Sequence, residues 1–211
     1  MTRALAVSVV LTDLDAARHI EDGVLPPQDL AVAAHITDEQ RRRWFLASRR
    51  EVRVALGEIL GLPPAAVPIQ RGRNGKPEVE GTPVHFSVST RDAACVVATS
   101  LTDPVGVELA RVPARTPVPV LQQILPSRAR SAVLAVEPDE QPREFALWWC
   151  RVEAAVRACG AGLDEAAACL DTAPQVAREV GPELVAAVAL AGRPALPDVH
   201  WQIGAPDGVA R

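Results

Sequence analysis

The amino-acid sequence predicts an α+β protein, and three observations carry that expectation. Two long stretches, near 37–60 and 143–161, space their apolar residues as helices do. Three short Val/Ala-containing runs, at 84–89, 94–100 and 105–109, follow one another between those helices. After the second helix come two more strand-like runs, so the second half of the chain repeats the outline of the first.

Taken in order, residues 4–11 are rich in Val and Leu and read as a buried strand. Thr37-Asp38-Glu39-Gln40 reads as a helix start, with Thr37 as N-cap and Gln40 completing a capping box. Phe45, Val52, Leu56, Ile59 and Leu60 form the stripe of that helix, and Gly61 with Pro63-Pro64 ends it. A Gly/Asn turn at 72–75 leads into Lys76-Pro77. The runs 84–89 and 94–100 make a hairpin about Thr90-Arg91-Asp92-Ala93, and 105–109 is a further strand. The Pro-rich stretch 113–118 marks a joint, giving halves 1–112 and 113–211. In the second half a helix over 143–161 ends near Gly160 and Gly162, and strands are expected at 184–191 and 199–203.

Composition bounds the function. Of the 211 residues 48% are hydrophobic and 23% charged, ordinary values for a globular protein. With no Tyr and three Phe, Ala, Val and Leu must do most of the packing. The formal net charge of −4 argues against a nucleic-acid partner recognised by bulk positive charge. Arg41, Arg42, Arg43, Arg49, Arg50 and Arg53 are concentrated all the same, either as a solvated helix face or as an anion site. Cys95, Cys150, Cys159 and Cys169 lack metal-ligand spacing and read as buried, reduced thiols. With no cleavage-site pattern and no long apolar span, a cytoplasmic protein without a membrane partner is expected. The four histidines are dispersed, which gives no zinc pattern, and neither a Gly-x-Ser-x-Gly elbow nor a Walker loop is present. Trp148 and Trp149 are adjacent, so on a helix they point about 100° apart. One suits the core and the other a cleft or a partner.

Four segments carry the functional signal. They are Asn74-Gly75-Lys76-Pro77, Val84-His85-Phe86-Ser87-Val88-Ser89, Pro104-Val105-Gly106-Val107-Glu108-Leu109 and Trp149-Cys150-Arg151-Val152-Glu153. In this order and spacing, over roughly 40–205, the chain resembles the surfactin-type 4′-phosphopantetheinyl transferases. That resemblance implies a pseudodimer of two similar α+β halves in a monomer, with the active site between them. It implies an activity, transfer of the phosphopantetheine arm of coenzyme A to a serine of an acyl or peptidyl carrier protein, with Mg²⁺ as cofactor. Carried over residue by residue, Glu108 and Glu153 would hold the metal, and Glu153 or a metal-ordered water would take the serine proton. Arg53, Lys76, Ser89 and Thr90 would bind coenzyme A, and Arg157 would meet its phosphates in the catalytic step. Thr90 stands where the family has a phosphate-binding histidine, Ala110 where it has a second strand acid, and Val152 where it has a lysine. Those departures imply a second reading, a relative repurposed to bind carrier proteins or process a carrier-bound intermediate in natural-product biosynthesis.

Overall fold

Alternation along the strands sets the layers. The computed structural model describes residues 7–16, 23–72 and 75–204. The first half holds β1 (Val7–Asp13), α1 (Pro27–Ala34), α2 (Glu39–Leu60), β2 (Ile69–Arg71), β3 (Pro77–Val79), β4 (His85–Arg91), β5 (Ala94–Ser100) and β6 (Val105–Arg111). Then come α3 (Val118–Gln123), α4 (Ser127–Ala135), α5 (Gln141–Cys159), α6 (Ala166–Thr172), β7 (Gln175–Gly181), β8 (Leu184–Leu190) and β9 (Val199–Gly204).

One sheet has the order β4-β5-β1-β9, a second the order β6-β8-β7, and β2 and β3 form a small hairpin. β9 lies parallel to β1, and the other neighbours run antiparallel. The larger sheets face each other across one core, where Val7, Val9 and Val96 meet Val107, Leu109 and Val188. On the outer face of the first sheet, Phe86, Cys95 and Val97 pack with Val52 and Leu56 of α2. On the outer face of the second, Ala110, Val185 and Ala187 pack with Cys150, Ala154 and Ala155 of α5. The order of layers is helix, sheet, sheet, helix. Each buried Val or Leu contributes about 1.5–3 kcal/mol against exposure, which is how a core short of aromatics holds together.

The mixed α and β content agrees with the expected class. α2 begins one residue later than its capping box implied: Asp38, not Thr37, is the N-cap and accepts from the Arg41 N–H at 2.7 Å. Gly61 ends α2 in the left-handed region (φ 67°), and Gly160 ends α5 the same way (φ 66°), a conformation that suits glycine. The first strand starts at Val7, and residues 4–6 of the expected strand lie outside the described residues, as does Asn74 of the turn before Lys76. The hairpin turn narrows to Asp92 and Ala93, Asp92 taking φ 51°. Strands cross between the two halves: β6, which precedes residue 112, pairs with β8, and the C-terminal β9 pairs with β1.

Candidate functional site

β6 is the edge of its sheet, so the N–H groups on its free side need acceptors. They find serine hydroxyls. Val107 N–H donates to Ser87 Oγ at 3.1 Å and Leu109 N–H donates to Ser89 Oγ at 3.2 Å, both from β4. Alternation makes this seam: Phe86 and Val88 face α2, so Ser87 and Ser89 face β6. The two sheets are thus joined by side-chain hydroxyls in place of a backbone ladder.

The opposite face of β6 presents Gly106, Glu108 and Ala110 to α5. A Cβ at Gly106 would overlap the Ala154 carbonyl oxygen and the Ala158 nitrogen, so only glycine lets α5 cross this closely. That approach carries Glu153 and Arg157, one helical turn apart, over Glu108.

Glu108 is 5% exposed. Its Oε2 accepts from Ser89 Oγ at 3.1 Å and pairs with Arg157 Nη2 at 2.9 Å. Burial pushes its carboxyl above the usual range, Arg157 opposes that shift, and Glu153 adds to it. Arg157 also points Nε at Glu153 Oε2 at 3.8 Å, beyond hydrogen-bond reach, so that buried N–H has no hydrogen-bond partner. Its Nη1 donates to Val88 O at 3.4 Å. One guanidinium therefore touches both candidate metal carboxylates. The third position on the face, Ala110, offers no oxygen. This donor set differs from the free, converging carboxylates that the resemblance implies.

Lys76 completes the group. Its Nζ donates to Val105 O and Arg157 O, both at 2.8 Å, tying the start of β6 to the end of α5. Burial brings its pKa down to about 8. Two cavities flank it. One, of about 260 Å³, is lined by Gly75, Lys76, Ser87, Arg157 and Gly160. The other, of about 400 Å³, is lined by Lys76, Glu78, His85, Phe86 and Cys159. Together they give a cleft along the seam with two cations in one wall.

Lys76, Ser89, Glu108, Glu153 and Arg157 therefore share one neighbourhood, and two expected residues do not act there. Arg53, expected as a phosphate ligand, is 2% exposed; its Nε donates to Asp29 Oδ2 at 2.6 Å and its Nη1 to Val67 O at 3.0 Å. Its guanidinium binds α1 and the 64–67 turn to α2 and is closed to a ligand. Thr90 is exposed at the end of β4, paired in register with Cys95. Ser89 is near the site, but its hydroxyl holds Glu108 and Leu109 instead of opening to a phosphate. Among the cysteines, Cys159 is exposed, contrary to expectation, while the other three are buried. Burial holds the Cys95 and Cys169 thiols up at about 12 and pushes Cys150 higher still.

Some neighbours were missed in the sequence. Ser87 had a readable signal, a second hydroxyl two residues from Ser89 on one strand face. His85 and Cys159 had none, because only the fold brings them beside Lys76. On the far side of the seam a cavity of about 480 Å³ is lined by Arg91, Arg111, Phe145 and Trp149, with Trp149 stacked on Phe145 at 6.3 Å. Trp149 thus lines a cavity apart from the cleft beside Lys76, Arg128 and Arg151 lie over the ring of Trp148, and both tryptophans are half-buried, so neither is the expected core residue. No helix is long and apolar enough to cross a membrane among the described residues. Comparison with known proteins matches no protein-family model and no curated sequence.

Proposed function

We propose that this chain handles the phosphopantetheine arm, binding coenzyme A in the seam cleft and transferring the arm to a serine of an acyl or peptidyl carrier protein. The observation that carries this reading is that Lys76 and Arg157 line one cavity while Arg157 pairs with Glu108 and Glu153 beside it, four residues drawn from three separate motifs. Cations there suit the diphosphate of coenzyme A. In the reaction the carrier serine Oγ bonds to the phosphorus that bears the arm, and the diphosphate P–O bond breaks. The nucleotide phosphate leaves with that electron pair, and the serine proton passes to the Glu153 carboxylate. Lys76 and Arg157 offset the charge that grows on the leaving phosphate.

A second reading is binding of the arm without its transfer, for instance on a carrier already loaded with an intermediate. The pairing of Arg157 with Glu108 favours it, because that contact engages a carboxylate and a guanidinium with each other.

Intact-mass measurement of an apo carrier protein incubated with the chain and coenzyme A separates the two. Transfer adds the mass of one arm to the carrier, and Glu153→Gln abolishes that gain. Full transfer by the variant would contradict the proton-acceptor role. An unmodified carrier, beside an active control transferase, would contradict transfer.

A further inference from the structure

We infer that Arg157 is a built-in cation that takes the place of a divalent metal ion, so that the seam binds a diphosphate ligand without Mg²⁺. This inference rests on the reading of the seam as a phosphopantetheine site and concerns how that site is charged. Mg²⁺ requires near-octahedral oxygen ligands and is held by carboxylates that are free to reach it. At the seam Glu108 Oε2 already accepts from Ser89 Oγ and pairs with Arg157 Nη2 at 2.9 Å. Glu153 Oε2 faces the same guanidinium at 3.8 Å. Ala110, the next residue on that face of β6, contributes no ligand atom. Among the described residues, no three His, Cys, Asp or Glu side chains converge in a way that could hold a metal ion. These residues do not fit the metal that the resemblance implies.

The guanidinium fits the role in its stead. Its Cζ end is fixed by Glu108 and Val88 O, its side chain remains 40% exposed, and it lines the cavity that Lys76 also lines. Its buried Nε–H lacks a hydrogen-bond acceptor, which a small movement of Glu153 would supply. An arginine carries its charge at every physiological pH and presents a rigid fork to phosphate oxygens. Gly106 makes the arrangement possible, since a bulkier residue would lift α5 and Arg157 away from Glu108.

Two measurements test this separately from the functional reading. Mn²⁺ titrated into the purified protein, followed by the electron paramagnetic resonance of the free ion, reports binding with no need of coenzyme A. Wild type is expected to show no saturable site. Arg157→Gln, with its folding checked by circular dichroism, is expected to gain a saturable Mn²⁺ site through the freed carboxylates. A stoichiometric Mn²⁺ site in wild type that is lost in Glu108→Gln would overturn the inference. Coenzyme A is then titrated calorimetrically in EDTA and in Mg²⁺, and its affinity is expected to agree within twofold. Binding seen only with Mg²⁺ would also overturn it. Should coenzyme A bind in neither buffer, the functional reading fails, and the Mn²⁺ titration still decides the role of Arg157.

Discussion

Lys76 shows how one side chain serves both fold and site. Its two hydrogen bonds to carbonyl oxygens fasten β6 to the end of α5, and the same burial lowers its pKa from 10.5 to about 8. Between pH 8 and 10.5 the unfolded chain therefore holds more protons at this lysine than the folded chain. Stability from this group rises with pH across that window, and below pH 8 the cost of burying the charge is fully present. The proposed diphosphate binding is predicted to have the opposite dependence, because a diphosphate needs the ammonium form. Affinity for coenzyme A is predicted to fall as pH rises through 8, by up to about tenfold per unit, and Lys76→Met is predicted to flatten that profile. Calorimetric titration at several pH values checks it; an identical fall in the variant would assign the titration to another group. At this scale the sequence was partly legible. Glu153 and Arg157 could be paired in advance because residues four apart share a helix face. Their meeting with Glu108 needed the strand motif as well. The buried pairing of Arg53 with Asp29 could not be read, since it joins residues 24 positions apart through helix packing alone.

Among the elements, the long ones were the easiest to read. α2 and α5 have apolar stripes and glycine stops, and β5 and β8 are continuous apolar runs that could only be buried. α1 escaped notice because it spans eight residues after a proline pair, too short for its periodicity to stand out. β7 escaped because Arg178 and Glu179 interrupt it at an exposed sheet edge. The contact between α5 and β6 decides the geometry of the site, and Gly106 decides that contact. Gly106→Ala is predicted to destabilise the fold by about 1–3 kcal/mol, because the new methyl group meets helix backbone that cannot move aside cheaply. Urea unfolding should show a lower midpoint with little change in slope. An unchanged midpoint would mean that α5 has room the close approach denies.

Over the whole molecule, two facing sheets share one core, and a strand from each half of the chain lies in the other half's sheet. Periodicity revealed two similar outlines but not this exchange, because strand pairing over 190 residues leaves no local trace. The exchange predicts a single cooperative unfolding transition. Fragments 1–112 and 113–211 should not fold separately, since one loses the partner of β6 and the other the partner of β9. Circular dichroism melts of the fragments check this; an independent cooperative melt in either would contradict it. The central claim, that the seam cleft beside Lys76 and Arg157 receives the phosphates of coenzyme A, is tested most directly by calorimetric titration of coenzyme A into wild type, Lys76→Met and Arg53→Ala. The predicted result is saturable binding to wild type, at least about tenfold weaker in Lys76→Met for the loss of a charged contact, and unchanged in whatever fraction of Arg53→Ala is folded. Absence of binding to wild type, or a loss in Arg53→Ala with none in Lys76→Met, would contradict it.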